Sequence, residues 1–239
     1  MIYVISDLHG YDHKKFMKIL EGASFDENDT LYVLGDVIDR NGDGGIETLQ
    51  WIMDQDNVHL ILGNHEAMLL ACEVMVMNIT DRTYKRLCDE TQIQIMSTYL
   101  KNGGGITLKT ISKLPKAAKE KIFDYLRTLP LYAEVSAGGK DYLLVHSGLG
   151  HFSYDKTPDR YSADELIWTR PRIDERYYSN VTTVFGHTPT AFYGKKYQGD
   201  ILFTDTWIDI DVGAAGQEDA VMLRLDDMAQ FDYLGPLDF

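Results

Sequence analysis

Polar clusters follow three short apolar segments in the first third of the chain, and each cluster carries residues that could perform chemistry. They read Ser6-Asp7-Leu8-His9-Gly10, Gly35-Asp36-Val37-Ile38-Asp39-Arg40 and Gly63-Asn64-His65-Glu66. Two later apolar segments end in His146 and His187. Asp, Asn and His side chains without a thiolate suit borderline divalent metals such as Mn²⁺, Fe²⁺ or Zn²⁺.

The spacing of these residues is suited to two metal ions. Asp7 and His9 stand two positions apart on an extended segment, so both side chains can face one ion. A carboxylate such as Asp36 can bridge two ions, and the second ion would then be completed by Asn64, His146 and His187. Two metals about 3.5–4 Å apart hold a hydroxide at neutral pH and clamp a phosphoryl group for in-line attack.

Four further residues could complete a phosphoryl-transfer site. Arg40 offers a planar fork matched to phosphate oxygens, and Arg170 is a candidate second arginine. His65 lies next to the candidate ligand Asn64 and could protonate a leaving alkoxide, with Asp39 orienting its imidazole.

Strand-like and helix-like segments alternate around the three clusters. The apolar runs Ile2–Ile5, Leu31–Leu34 and Val58–Leu62 predict strands, and helical patterns lie between them, ending with one over Glu66–Met77. This alternation is typical of βαβ units with a parallel sheet. Because the carboxyl ends of parallel strands lie at one edge, the clusters are expected to converge.

The later sequence predicts a helical segment and then a second sheet. Residues from about 81 to 129 read as amphipathic helices. The strands that follow, predicted to form an antiparallel or mixed sheet, are Leu131–Val135, Tyr142–His146, Val181–Phe185, Ile201–Phe203, Trp207–Val212 and Ala220–Leu225. No linker or repeat divides the chain. We therefore predict one domain over residues 1–239 with a mainly helical insertion at about 81–129.

Composition narrows the classes of partner. The chain has 239 residues, a net charge of −14, and 23 basic against 37 acidic residues. That balance disfavours nucleic acid and anionic membranes as partners. Two cysteines cannot form a disulfide scaffold. No targeting segment is visible, so a cytoplasmic location is expected. A basic stretch at Lys109, Lys113, Lys116, Lys119 and Lys121 is either a solvated helix face or a guide for anionic substrates.

Taken together, the motifs resemble the ordered signature of metallophosphoesterases, most closely the phosphoprotein phosphatase branch in its small bacterial and phage form. His146-Ser147-Gly148 and Gly186-His187-Thr188 belong to the resemblance, and Asn102-Gly103-Gly104 and Trp168-Thr169-Arg170 extend it over nearly the whole chain. It implies a calcineurin-like α/β fold, a four-layer α/β/β/α sandwich of two mixed sheets.

The resemblance also implies roles for the site residues. One metal would be held by Asp7, His9 and Asp36, and the other by Asp36, Asn64, His146 and His187. Arg40 and Arg170 would bind phosphate, and Asp39 and His65 would form the acid dyad. Ser6 and Asn41 stand where the family usually has glycine. Asn tolerates left-handed backbone angles and Gly42 follows, so the second turn is expected to be kept.

The function predicted from sequence is that of a two-metal phosphomonoesterase, a serine/threonine or dual-specificity protein phosphatase, with two divalent ions, Mn²⁺ first and Fe or Zn next. A metal-bridging hydroxide would attack phosphorus directly. The first alternative is hydrolysis of a small phosphate ester or anhydride such as diadenosine tetraphosphate. Asp39-Arg40 and Glu66 resemble the protein-phosphatase branch more than that nucleotidase branch. The second alternative is a non-catalytic metal-bound interaction module. The sequence does not indicate an oligomeric state.

Overall fold

The first sheet carries the amino-terminal strands. The computed structural model describes residues 1–77 and 89–237. Strands β1 (Ile2–Ile5), β2 (Thr30–Val33) and β3 (Val58–Leu60) are parallel neighbours. On the other side of β1, the sheet continues through the antiparallel strands β9 (Met222–Arg224), β10 (Gln230–Asp232) and β11 (Gly235–Pro236). The sheet is therefore mixed, and β1 lies in its interior.

The second sheet has the order β4-β5-β6-β8-β7. Its strands are β4 (Tyr132–Ala137), β5 (Lys140–Val145), β6 (Thr182–Phe185), β7 (Leu202–Phe203) and β8 (Trp207–Asp209). The three central strands β5, β6 and β8 run parallel, and the outer strands β4 and β7 are antiparallel to their neighbours. Three parallel carboxyl ends thus meet at one edge, as they do in the first sheet.

Helices follow or connect these strands. They are α1 (His13–Gly22), α2 (Ile46–Met53), α3 (Asn64–Ala71), α4 (Glu90–Lys101), α5 (Gly105–Ser112), α6 (Lys116–Arg127) and α7 (Ala163–Ile167). Side-chain caps mark several starts. Asp12 accepts from the Lys15 amide at α1, and Ser162 and Glu165 form a capping box at α7. Such caps satisfy amides that lack a partner within the helix.

Three apolar cores separate four layers. Val4 and Leu34 of the first sheet pack with Leu144 and Val184 of the second, which joins the sheets face to face. A second core lies between the outer face of the first sheet and helices α1 to α6. A third covers the outer face of the second sheet with the short helix α7 and irregular segments. This is the predicted α/β/β/α sandwich, with one thin outer layer.

Two sequence-based expectations are wrong in detail. The last predicted strand joins the first sheet as β9, because β1 needs a hydrogen-bonded neighbour on both sides and β2 provides only one. The helix predicted over Glu66–Met77 ends at Ala71 and is followed by a 3-10 turn over Glu73–Met75. Helices α4 to α6 occupy the described part of the predicted insertion, and its residues 81–88 lie outside the described residues.

In the part of the chain that the structure describes, the helices are too short or too polar to span a bilayer.

Candidate active site

The ten predicted site residues converge at the carboxyl ends of strands from both sheets. A cavity of about 100 Å³ lies there. Eight of the ten residues line it: Asp7, His9, Asp36, Arg40, Asn64, His65, Arg170 and His187. The other two lie directly behind the cavity wall. The Asp39 carboxylate contacts the His65 ring, and the His146 ring contacts Asn64.

His9 faces two carboxylates on one side of the cavity. Its Nδ1 donates to the Ile38 carbonyl at 3.1 Å, so the neutral ring presents Nε2 as an acceptor. That Nε2 lies 3.8 Å from Asp7 Oδ1 and 3.5 Å from Asp36 Oδ2. Burial, helped by the nearby His65, lowers the pKa of His9 and keeps the ring neutral. Three acceptor atoms that face one another in a buried site repel unless a cation lies between them.

The other oxygen of Asp36 faces a second set of acceptors. His146 Nδ1 donates to the Leu34 carbonyl at 2.7 Å, while its Nε2 lies 2.9 Å from Asn64 Oδ1 and 3.5 Å from Asp36 Oδ1. His187 Nε2 is buried without a hydrogen-bond partner among the described residues. Burial and the neighbouring His146 lower the pKa of His187 to about 2, so its ring is neutral.

Two groups of side chains are therefore close enough to hold metal ions, and Asp36 belongs to both. One group contains His9, Asp36 and His65, and the other contains Asp36, His146 and His187. In each group the potential ligand atoms lie within 4.8 Å of one another. The residues fit a binuclear His/Asp centre because each carboxylate oxygen of Asp36 points toward a different imidazole.

The backbone at the site is strained in a way that regular strands and helices are not. Asp7, His9, Asp36, Asp39, Arg40 and His187 all have positive φ, between 42° and 80°. Non-glycine residues adopt this region infrequently, and Asp and His do so more readily than most. Asn41 is not among them, and the following Gly42 takes the left-handed conformation at φ 56°. The turn is kept through Gly42, so no left-handed conformation is required of Asn41.

Two glycines make room for the carboxylates. A Cβ on Gly63 would lie 2.3 Å from Asp36 Oδ1, and a Cβ on Gly186 would lie 2.1 Å from Asp7 Oδ2. Real Cβ atoms do not approach oxygen that closely, so a side chain at either position would displace a candidate ligand. The glycine that precedes Asn64 and the one that precedes His187 are thus required sterically.

Glu66 supports the loop that carries Asp36. Its buried carboxylate accepts hydrogen bonds from the amides of Asp36, Val37 and Gly63 at 2.9, 2.9 and 3.2 Å. One side chain therefore ties the end of β2 to the start of α3.

The His65 imidazole is held by a buried carboxylate and faces the cavity with its other nitrogen. Its Nδ1 lies 2.6 Å from Asp39 Oδ2, and the Tyr99 hydroxyl donates to Asp39 Oδ1 at 2.7 Å. Burial opposes charging of the ring, but Asp36 and the hydrogen bond to Asp39 outweigh it and raise the pKa of His65. Arg40 Nη2 lies 3.2 Å from His65 Nε2. Because a guanidinium only donates, His65 Nε2 accepts from Arg40 in this arrangement, and the ring hydrogen lies on Nδ1 facing Asp39.

Arg170 reaches the cavity from the segment that follows α7. Its Nη1 donates to the His187 carbonyl at 2.9 Å. The segment before it is anchored because the Thr169 amide donates to Ser147 Oγ, next to His146, at 3.0 Å. Arg40, in the loop after β2, and Arg170, after α7, therefore enter the same small cavity.

Two carboxylates and one hydroxyl at the site were not among the residues predicted from the sequence. Asp211 lines the cavity, and burial together with Asp7 raises its pKa. Asp209 is buried behind it, and burial, followed by the charge of Asp211, raises its pKa. The signal was present, since both follow or end a buried strand, as Asp7 and Asp36 do. Tyr99 carried no such signal, because an aromatic residue on an amphipathic helix is expected in the core.

Comparison with known proteins assigns the chain to a family. The sequence profile of the calcineurin-like phosphoesterase family matches residues 1–207. A curated relative from an Acidovorax species, named symmetrical bis(5'-nucleosyl)-tetraphosphatase, is 29% identical over 149 residues. That match covers 62% of this chain and 44% of the relative, so this chain spans less than half the length of that relative.

Solved structures agree with the fold. One, provisionally described as a diadenosine tetraphosphatase, superposes with a TM-score of 0.62 at 17% identity, covering 96% of this chain and 90% of the other. A cold-active protein-tyrosine phosphatase of a Shewanella species gives a TM-score of 0.56 at 18% identity, covering 97% and 77%.

The family match over most of the chain, together with the two overlapping His/Asp groups at the cavity, leads to one conclusion: the chain belongs to the calcineurin-like phosphoesterase family.

Proposed function

We propose that this phosphoesterase hydrolyses dinucleoside polyphosphates by direct in-line attack on phosphorus, without a phosphoenzyme. The observation that carries the chemistry is the convergence of two metal-ligand groups, two arginines and a His–Asp pair at one small cavity. The name of the curated relatives supports the substrate. This ranking reverses the order of the two substrate classes predicted from sequence.

The proposed ligands divide between two ions that share Asp36. Asp7, His9 and Asp36 would hold the first ion, and Asp36, Asn64, His146 and His187 would hold the second. Divalent ions in these positions supply a hydroxide nucleophile at neutral pH and neutralise the phosphoryl oxygens. We propose Mn²⁺ first, with Fe or Zn as the other candidates, because the ligands are oxygen and imidazole nitrogen without thiolate.

The remaining side chains act on the substrate. Arg40 and Arg170 bind phosphate oxygens from two sides of the cavity. His65 donates a proton from Nε2 to the leaving oxygen, while Asp39 fixes the ring through Nδ1. When phosphate draws the Arg40 guanidinium away from His65 Nε2, that nitrogen becomes free to carry the proton.

A serine/threonine phosphoprotein is the second candidate substrate, and the His65–Asp39 pair favours it. A serine alkoxide is a poor leaving group and needs protonation, whereas a nucleotide phosphate leaves readily. The buried His65–Asp39 pair, with Tyr99 fixing the far oxygen of Asp39, is the apparatus that such a leaving group requires.

A substrate panel tests both candidates with the Mn²⁺-loaded protein. Diadenosine tetraphosphate and phosphoserine, phosphothreonine and phosphotyrosine peptides are compared by kcat/KM. A preference of about a hundredfold or more for the dinucleotide supports the first candidate, and the reverse preference supports the second. Absence of turnover of every substrate and of p-nitrophenyl phosphate, across several metals and pH values, would instead identify a non-catalytic module.

A further inference from the structure

Trp168 is an exposed aromatic side chain at a site that is otherwise polar. Its side chain is 42% exposed, and it lines the cavity together with the phosphate-binding candidates Arg40 and Arg170. Of the exposed large apolar side chains in the described parts of the chain, Trp168 is the one that lines this cavity. Single exposed apolar residues are common on protein surfaces, so its meaning depends on its position.

The position of Trp168 is fixed by the same segment that delivers Arg170. The Trp168 amide donates to the Asp164 carbonyl at 3.2 Å at the end of α7. The next amide, of Thr169, donates to Ser147 Oγ, and the Thr169 hydroxyl donates to the Glu165 carbonyl. The Trp168 ring also packs against the His187 ring, with centroids 6.0 Å apart and planes at 90°. The indole is therefore a positioned surface beside the phosphate site.

The size of the cavity determines where the rest of a substrate can lie. Its volume is about 100 Å³, whereas drug-sized ligands occupy pockets of roughly 300–1,000 Å³. A phosphoryl group fits inside, but a ring attached to that group must lie at the rim, where Trp168 is exposed.

We propose that Trp168 stacks on an aromatic ring of the substrate and makes the enzyme prefer ring-bearing phosphates over aliphatic ones. This inference rests on the phosphoesterase function proposed above. Stacking suits this position because an indole face attracts a flat ring without requiring hydrogen bonds. Two kinds of substrate carry such a ring, namely a nucleotide with its base and a phosphotyrosine side chain with its phenol.

The test uses pairs of phosphates that differ in the ring. Inhibition constants of AMP and ribose 5-phosphate, and of phosphotyrosine and phosphoserine, are measured against p-nitrophenyl phosphate with the Mn²⁺-loaded protein. In the unmodified protein we expect the ring-bearing member of one pair to bind about 5–10-fold more tightly. Trp168→Ala should abolish that ratio, and Trp168→Phe should keep most of it.

A matched control separates stacking from a general loss of aromatic surface. Phe203 is 43% exposed on the edge strand β7 and does not line the cavity. Phe203→Ala should leave the ratio unchanged. Because each ratio compares two phosphates on the same variant, a change in folded fraction or metal content cancels.

The two pairs distinguish the source of the ring. A preference seen only for AMP over ribose 5-phosphate indicates that the stacked ring is a nucleobase. A preference seen only for phosphotyrosine over phosphoserine indicates that it is a phenol ring. Tryptophan fluorescence gives a readout independent of turnover, since the other tryptophans are Trp51, which is partly buried, and Trp207, which is fully buried. Ring-bearing phosphates should quench this fluorescence, and the quenching should disappear in Trp168→Phe.

Failure of this inference and failure of the proposed function give different results. Equal ratios in the unmodified protein and Trp168→Ala, with p-nitrophenyl phosphate still hydrolysed, would overturn the role of Trp168 and leave the phosphoesterase function standing. Quenching by ring-bearing phosphates without hydrolysis of any phosphate would support the stacking contact and overturn the catalytic function.

Discussion

Asp36 and His65 are the residues on which the proposed chemistry depends most directly. Asp36 turns one oxygen toward His9 and the other toward His146, each 3.5 Å away. His65 is bound through one nitrogen to Asp39 and presents the other nitrogen to the cavity. Each arrangement leads to a substitution with a specific expected result.

Replacing Asp36 with Asn should weaken both metals together, because the amide loses the negative charge that the two ions share. Asp7→Asn is the matched comparison and should weaken one metal more than the other, since Asp7 lies near His9 and not among the ligands proposed for the second ion. Metal content after gel filtration, measured by mass spectrometry, checks both. Two retained ions per chain in Asp36→Asn would exclude the bridging role.

Replacing His65 with Asn should slow turnover about 10²–10⁴-fold for substrates with poor leaving groups. p-Nitrophenyl phosphate should be affected much less, because its leaving group needs no proton. The measurement is kcat against leaving-group pKa, with metal content determined on the same sample. An equal loss for all leaving groups would contradict an acid role, and loss of metal would indicate that His65 is a ligand.

At the scale of elements, strand ends and glycines position the site. Six polar segments follow parallel strands, three in each sheet, so candidate ligands separated by more than a hundred residues in the sequence meet where these strands end.

The basic stretch on α5 and α6 contributes less to the site. Lys116 pairs with Glu120, Lys119 donates to the Val76 carbonyl, and Lys121 pairs with Asp54. These partners favour the solvated-face interpretation over a guide for anionic substrates.

Gly186→Ala tests the steric role of a strand-end glycine. The new Cβ would lie 2.1 Å from Asp7 Oδ2, so Asp7 must move and the first metal should be lost along with about 1–3 kcal/mol of unfolding free energy. Gly105→Ala is the control, since its Cβ would meet only Leu100 Cδ2 at 3.7 Å. Thermal unfolding and metal content are measured for both. Full metal content in Gly186→Ala would disprove the steric argument.

At the scale of the whole molecule, the net charge of −14 opposes binding of a phosphate. The carboxylates of Asp7, Asp36 and Asp211 lie at the cavity itself. Two divalent ions would add about four positive charges where the phosphate binds, so the attraction is local and the remaining surface stays acidic. Without metal, the same carboxylates repel one another.

This repulsion predicts opposite pH dependences with and without metal. Burial raises the pKa values of Asp36 and Asp211, so the metal-free folded state binds more protons than the unfolded state. Its unfolding free energy should therefore rise as the pH falls from 8 to about 7, where the histidines of the unfolded chain are still neutral; below about pH 6.5, His9 and His187, which stay neutral in the folded state, oppose this gain. The metal-loaded protein should lose stability as the pH falls from 8 toward 5, because protons compete with the ions for the ligands.

Denaturant unfolding at several pH values measures how the unfolding free energy depends on pH, with chelator for the metal-free protein and without it for the metal-loaded protein. Asp211→Asn should flatten the metal-free dependence, because it removes one of the buried carboxyl groups that take up protons. A metal-free protein whose stability falls between pH 8 and about 7 would contradict the raised pKa values of the carboxyl groups.

The sequence by itself predicted the strands β1 to β9, the parallel pairing of the first three and ten candidate site residues. Each of these depends on local patterns, such as a buried apolar run followed by a polar cluster. Resemblance added the sandwich and agreed with the pairing of ligands with metals that the residue types and spacing had suggested. The structure brings the ten residues together at one cavity, while their individual roles remain proposals.

Only the tertiary structure decided which strand completes the first sheet, that Tyr99 bonds Asp39, and that Asp211 and Trp168 line the cavity. These features depend on contacts between segments far apart in the chain. Asp39 and Tyr99 are 60 residues apart, and their hydrogen bond exists because α4 packs against α3, the helix that carries His65. Local pattern determines whether a residue is buried, whereas its partner is set by the packing of whole layers.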